Sequence, residues 1–269
     1  MHKRITTALL MTAVLALAAG CTKPTFGPVT TPAITAPTPT VPTTPTTNLA
    51  PTPSTPAPTP QPEVKPAPST TKPEAKLVSN PSDITVLVNK VYRLPADYRP
   101  ADLVVPNVAF IFKEADDKRL MRKEAAQALE SMFAAAKQGG IHLAGVSGFR
   151  SYETQKNLFE YYVKVQGEET ARRYSAEPGH SEHQTGLTMD VSGSTGQCAA
   201  DDCFAGTAEA EWLAKHAHEY GFIIRYPKGK EAITGYAYEP WHLRYVGTAL
   251  SKQIAAKGVT MEEHYGQVR

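Results

Sequence analysis

The chain has 269 residues, 41% of them hydrophobic, and a formal net charge of +2. That length is sufficient for one medium-sized hydrophobic core. The balance of 28 basic against 26 acidic residues lacks the cationic surplus typical of nucleic-acid binding, so we expect no nucleic-acid partner. Composition changes sharply along the chain and divides it into three segments.

The first 21 residues are typical of an export signal. Lys3 and Arg4 precede an apolar run that is too short and too rich in small residues for a spanning helix. Small residues then lead into Cys21, as in a lipobox. Residues 1–21 are therefore predicted to be a signal peptide, and Cys21 is predicted to anchor an exported protein to the outer face of the cell membrane. The alternative is an ordinary secretory signal that is cleaved near a cysteine.

Residues 22–76 consist mainly of proline and threonine. Proline removes backbone donors, and almost no apolar side chains are present, so this segment cannot form a packed core. It is predicted to be a disordered, extended stalk that rises roughly 3 Å per residue. Its threonines also suit O-glycosylation. Such a stalk would hold the folded domain in the cell wall or periplasm.

Residues 77–269 are predicted to form one α+β domain. Helical and strand patterns are interspersed, and their connections suit an antiparallel sheet covered by helices at least as well as a parallel one. The predicted elements are an apolar, β-branched segment (102–112), a helix within 117–140, a strand (141–150), a helix capped by Ser151 (151–167), a helix (207–221), a strand (222–227), an alternating segment interrupted by Pro240 (235–247) and a helix (248–258).

The stretch "PGHSEHQTGLTMDV" (178–191) is dense in polar side chains. From residue 187 onward apolar and polar residues alternate, so Asp190 is predicted on the strand face opposite the core. Gly186 permits a bend that could fold His183 back over that face. Histidine and aspartate are both suitable zinc ligands, and this pair is therefore a candidate metal site. The alternative is a structural hydrogen-bonded pair.

The best candidate for a third ligand is His242, in "YEPWHLRY". Glu239 precedes it by three residues, at a distance that suits a general base acting on water beside a metal. His180 is interpreted as a loop or cleft-rim residue. The remaining histidines lie in the signal, at a strand start, on a charged helix or in a polar tail: His2, His142, His216, His218 and His264.

Two cysteines remain after the anchor, in "GQCAADDCFAG". In an oxidising compartment, a close pair in a loop flanked by glycines favours a disulfide between Cys198 and Cys203. Zinc binding by the two thiolates is the alternative. It would need further ligands, and the loop offers only Asp201 and Asp202.

Three motifs, "GFRSYETQ", "SEHQTGLTMD" and "EPWH", occur in this order. Together they resemble the VanY-type D-alanyl-D-alanine carboxypeptidases, zinc enzymes of peptidase class M15, subfamily B. The resemblance extends over residues 87–247. It implies a small antiparallel β-sheet with helices packed around it, as in hedgehog-like proteins, with the zinc site on the open face of the sheet.

The resemblance also implies a role for each matching residue. Arg150 would act as an oxyanion clamp and Glu239 as the general base, although an arginine can also be a plain ion-pair partner. Gln155 and Ser181 match positions that contact the peptide near its C-terminal residue, whereas an exposed helix position is the alternative for Gln155. The three zinc ligands would be His183, Asp190 and His242.

The implied activity is zinc-dependent (Zn²⁺) D,D-carboxypeptidase action on peptidoglycan stem peptides that end in D-Ala-D-Ala. The expected protein is a monomer attached to the membrane through its lipid anchor. An L,D-carboxypeptidase or endopeptidase would use the same chemistry. A wall-binding lipoprotein without activity, or a zinc carrier, is disfavoured because neither needs a positioned general base.

Overall fold

The computed structural model describes residues 75–268. The predicted signal peptide, Cys21 and the stalk up to residue 74 lie outside the described residues. The first strand begins at Lys76, within one residue of the predicted domain boundary. Within residues 75–268, no helix combines the length and apolarity that crossing a membrane requires.

The domain is α+β, as predicted. The strands are β1 (Lys76–Leu77), β2 (Tyr92–Arg93), β3 (Leu103–Val104), β4 (Met121–Arg122), β5 (Leu143–Ser147), β6 (Thr188–Gly193), β7 (Phe222–Tyr226) and β8 (Glu239–Tyr245). The helices are α1 (Lys123–Gln138), α2 (Tyr152–Gln166), α3 (Glu168–Tyr174), α4 (Ala208–His216), α5 (Glu231–Thr234), α6 (Thr248–Lys257) and α7 (Met261–His264).

The central sheet has four antiparallel strands in the order β5-β6-β8-β7. Its core face packs against α1 and α4, where Leu129 and Leu213 are fully buried. Apolar residues alternate along β6 and its approach, so Leu187, Met189 and Val191 all join this core. The predicted alternation is confirmed, and it sends Asp190 to the opposite face.

That opposite face is only partly open. Residues 84–94 and helices α6 and α7 cover the end of the sheet where Arg225 and Arg244 are 1% and 0% exposed. The remaining part of the face forms a cleft. The candidate site residues therefore lie in a recess of the sheet and not on a broad open surface.

Several element boundaries differ from the predicted ones. In residues 102–112 only Leu103–Val104 forms a strand, since Pro106 follows. Helix α1 begins at Lys123, because residues 117–119 form a 3₁₀ turn capped by Asp116 and residues 121–122 pair with β3. Pro240 lies inside β8 and does not end the strand, although the β7–β8 register shifts beside it.

Candidate active site

Strand register places two predicted ligands side by side. Asp190 on β6 is the direct antiparallel partner of His242 on β8, so both side chains project from the same face. His242 Nδ1 lies 3.2 Å from Asp190 Oδ1. Both residues are buried, with 5–6% of their surface exposed.

A tight turn brings His183 to the same point. Residues Glu182–Thr185 form a 3₁₀ turn that ends at Gly186, whose φ is +67°. A Cβ at Gly186 would lie 2.8 Å from a methyl carbon of Leu103, so both the conformation and the space require glycine. After the turn, His183 Nε2 lies 3.3 Å from Asp190 Oδ2.

The two candidate histidine ligands differ in their electrostatic surroundings. His183 Nδ1 lies 2.7 Å from the carbonyl oxygen of Gly148 and must donate to it, which leaves the Nε2 lone pair facing Asp190. Burial, together with the charge of Arg150, lowers the pKa of His183. Burial alone would lower the pKa of His242, but Asp190, Glu182 and Glu239 raise it to about 9.

These residues fit a zinc ion. One ligand atom from each of His183, Asp190 and His242 lies within 4.8 Å of the others. Asp190 Oδ1 is buried and makes no hydrogen bond among the described residues. Two imidazole nitrogens and a carboxylate oxygen are a donor set that zinc prefers.

Glu239 reaches the cluster through an irregularity in the sheet. The β7–β8 register shifts between Ile224 and Tyr226, opposite Pro240, where the ladder can lose a donor. Glu239 Oε2 consequently lies 3.4 Å from His242 Nδ1. Burial, reinforced by the charge of Asp190, raises the pKa of Glu239 to about 7, a value suited to a general base near neutral pH.

Arg150 lies beside the ligands and is fixed by two neighbours. Its Nη1 donates to Gln155 Oε1 at 2.9 Å and its Nη2 to Ser147 Oγ at 3.0 Å. Gln155 is 1% exposed and does not line the cleft. Its amide nitrogen donates to Ser175 and Ala176. Gln155 therefore supports Arg150 in this structure, and its expected contact with a peptide stays a prediction.

The site opens into a cleft of about 430 Å³. Ser181 lines it, and within residues 75–268 its hydroxyl makes no hydrogen bond, so the hydroxyl can meet a ligand. The wall formed by α2 and α3 contributes Leu158, Tyr162 and Tyr174. The loop closed by the Cys198–Cys203 disulfide contributes Ala200, Asp201 and Asp202 to the lining.

Two neighbouring residues differ from the sequence interpretation. His180 lies in a loop, as one of its two interpretations has it, but it is 5% exposed, with Nδ1 2.6 Å from the carbonyl oxygen of Asn89, and so is not at the cleft rim. Glu182, to which sequence reasoning gave no role, is 1% exposed and lies between Arg225, Arg244 and His242. Its one available signal was its position next to His183.

A buried cluster of two histidines, an aspartate and a glutamate, with a partly buried arginine beside it in a cleft, is the kind of arrangement found in metal-dependent hydrolases. The family model for VanY, D-alanyl-D-alanine carboxypeptidase, matches residues 118–248. A putative carboxypeptidase, YodJ from Bacillus subtilis (strain 168), is 51% identical over 192 residues, which cover 71% of this chain and 70% of YodJ. The chain belongs to the VanY family of carboxypeptidases.

Solved structures agree with this assignment. The LD-carboxypeptidase LdcB is 50% identical, with a TM-score of 0.69, and the match covers 72% of this chain and 91% of LdcB. A mutant of the vancomycin resistance D,D-pentapeptidase VanY, from a VanB-type resistance cassette and in complex with Zn(II), is 30% identical. Its TM-score is 0.55, and the match covers 69% of this chain and 99% of that one.

Proposed function

We propose that this protein is a zinc-dependent carboxypeptidase that removes the terminal D-alanine from peptidoglycan stem peptides. The observation that carries this proposal is the convergence of His183, Asp190 and His242 within 4.8 Å. Glu239 lies 3.4 Å from His242 in the same cleft. A wall-binding protein without activity would not require a buried carboxylate at that place.

Each side chain has a defined task in peptide hydrolysis. Bound zinc would supply Lewis-acid chemistry, because it lowers the pKa of water and polarises a carbonyl. The Glu239 carboxylate takes a proton from the attacking water and returns it to the leaving amine. The Arg150 guanidinium, held by Gln155 and Ser147, stabilises the negative charge that develops on the carbonyl oxygen. Ser181 hydrogen-bonds the peptide near its C-terminal residue.

Two specificities are compatible with this chemistry. The family model is that of D-alanyl-D-alanine carboxypeptidases, which supports D,D cleavage of a pentapeptide ending in D-Ala-D-Ala. The 50% identity to the LD-carboxypeptidase LdcB, against 30% to the D,D-pentapeptidase VanY, favours L,D cleavage of a tetrapeptide. One experiment distinguishes the two specificities.

The test uses the full chain with a stem pentapeptide and a stem tetrapeptide in separate reactions, with products followed by mass spectrometry. Loss of one alanine from the pentapeptide identifies D,D activity, and loss from the tetrapeptide identifies L,D activity. A chelator and the Glu239→Ala variant should each abolish the product, and added zinc should restore only the chelated wild type. Zinc binding with neither peptide cleaved would redirect the proposal to endopeptidase action on cross-linked wall.

We also propose that the protein is exported and anchored by lipid at Cys21. Lys3, Arg4, the apolar run and the small residues before Cys21 support this, as does a long stalk that suits a substrate outside the membrane. Metabolic labelling with a fatty acid should mark the wild type and leave Cys21→Ser unlabelled. A labelled Cys21→Ser variant would contradict the anchor.

A further inference from the structure

Glu182 is a buried carboxylate adjacent to the candidate ligand His183. Its Oε1 accepts hydrogen bonds from Arg225 Nε and Arg244 Nη1, each at 2.7 Å. Both arginines are themselves fully buried. Two guanidinium groups donate to Oε1, so the Glu182 side chain acts in this cluster as a hydrogen-bond acceptor and not as a donor.

The second carboxylate oxygen of Glu182 faces His242. Oε2 is buried and makes no hydrogen bond among the described residues, and the same holds for His242 Nε2. These two atoms lie 3.5 Å apart, the outer limit of a hydrogen bond. The other ring nitrogen, Nδ1, is the one directed toward Asp190 and Glu239.

We propose that Glu182 is a positioning residue that accepts the Nε2–H of His242 and thereby directs the Nδ1 lone pair to the metal. The role rests on the proposed zinc site. A neutral imidazole carries one proton, so a ring that binds metal through Nδ1 must carry its proton on Nε2. A fixed acceptor at that nitrogen sets both the tautomer and the ring orientation.

The surrounding ion pairs keep this acceptor in place. Arg225 donates to Glu262 at 2.7 and 3.0 Å, and Arg244 Nη2 donates to the carbonyl oxygens of residues 84 and 86 at 3.0 and 2.8 Å. The cluster holds two carboxylates and two guanidinium groups, so its charge is balanced. With Oε1 bonded twice, Glu182 keeps Oε2 directed at His242.

The test compares Glu182→Gln with the wild type in the full chain. The two arginines are donors, so the side-chain oxygen of the glutamine would turn toward them. Its NH₂ group would then face the Nε2–H of His242, and two donors cannot form a hydrogen bond. Competition with a chromophoric chelator should then show zinc affinity lowered about 10–100-fold. ¹H–¹⁵N spectra of the zinc-loaded chain should show the Nε2 proton of His242 in the wild type and a shifted or absent signal in the variant.

Glu262→Gln is the matched control. It removes an equal charge from the same Arg225 but does not touch His242. Its zinc affinity should stay within about twofold of the wild type, and the Nε2 proton signal of His242 should remain visible and unshifted. Only its free energy of unfolding should be reduced. Equal loss of zinc affinity in the two variants would show a merely structural role and would overturn the proposal.

A further variant covers the case in which Glu182→Gln does not fold. Glu182→Asp keeps the charge next to the arginines but withdraws the carboxylate from His242, so zinc affinity should again fall. Unchanged affinity in a folded Glu182→Asp or Glu182→Gln variant overturns the positioning role alone. A wild type that binds no zinc overturns the proposed function as well, which keeps the two failures distinguishable.

Discussion

Arg150 illustrates how a side chain in this site is aimed. Its two terminal nitrogens donate to different acceptors, Gln155 and Ser147, at 2.9 and 3.0 Å. The planar guanidinium is thereby held in one orientation, which a single ammonium group cannot reproduce. Stabilisation of developing charge depends on such prior orientation.

We therefore expect Arg150→Lys to lower kcat about 100-fold although the positive charge is kept. Zinc affinity should not change, since Arg150 is not among the candidate ligands. Steady-state kinetics and chelator competition measure the two effects separately. Arg99→Lys, in an exposed pair with Asp117, is the matched control and should keep kcat within about twofold. Normal turnover in Arg150→Lys would remove the proposed oxyanion role.

The sequence was sufficient to select the three candidate ligands, which the structure brings together, but it did not reveal the residues that support them. Asp190 and His183 share one short motif, and His242 has Glu239 three residues away, so their chemistry is visible locally. Glu182 acquires its environment from Arg225 and Arg244, which are 43 and 62 residues distant. Such pairing depends on tertiary structure, and no local pattern reveals it.

In helix α2, the start of the helix is determined by neighbouring residues, whereas the burial of its side chains is determined by distant parts of the chain. Ser151 caps α2 as predicted, with Oγ accepting from the Thr154 amide at 3.2 Å, because capping involves only neighbouring residues. The spacing of Leu158, Tyr161 and Tyr162 places them on one side of the helix, yet Tyr161 is 60% exposed and Gln155 is the buried residue of α2. The helix borders the cleft, so its inner side meets the site and not a core.

The loop closed by Cys198 and Cys203 is an element whose form depends on one covalent bond. Cys198 and Ala200 have positive φ angles of 59° and 52°, a conformation that costs non-glycine residues energy. The loop places Asp201 and Asp202 on the rim of the cleft. A well-defined conformation of this loop should therefore matter more for the binding of the substrate than for the hydrolysis step.

Replacing both cysteines by serine should lower the free energy of unfolding by about 2 kcal/mol, the chain-entropy value for so short a loop. We expect KM to rise severalfold with kcat nearly unchanged, because the loop contributes no proposed catalytic group. Urea unfolding and steady-state kinetics measure these effects. A reductant should weaken the wild type to the same extent and leave the double variant unaffected. An unchanged unfolding midpoint in the double variant would contradict the prediction.

At the scale of the whole molecule, buried ion pairs connect distant parts of the chain to the sheet. Arg225 on β7 bonds Glu262 on α7, and Glu262 in turn accepts from Asn89 at 3.0 Å. Arg244 on β8 bonds the backbone of residues 84 and 86. The segment before the first helix and the C-terminal helix are thus joined to the strands that carry the site. Apolar packing of Leu87 and Met261 against Ile223 adds to these contacts, but the polar partners are far apart in sequence, so hydrophobic patterns alone do not reveal the arrangement.

This arrangement predicts a dependence of stability on pH. Burial would raise the pKa of Glu262, but Arg225 and hydrogen bonds from Arg225 and Asn89 lower it below its ordinary 4.5. A carboxylate whose pKa is lower in the folded state stabilises the fold above pH 4.5, and that contribution is lost as the pH falls through the folded value.

Glu262→Gln should accordingly lower the free energy of unfolding by about 3 kcal/mol at pH 7, because Arg225 loses a buried partner. The difference from the wild type should narrow as the pH falls from about 4.5, where the carboxylate of the unfolded wild type takes up a proton, to the lower pKa of the folded state. Urea unfolding of both proteins across this range gives the comparison, and Glu160→Gln, an exposed position on α2, should change stability by less than about 0.5 kcal/mol. A difference that stays constant with pH would mean that the ionised state of Glu262 does not join α7 to the sheet.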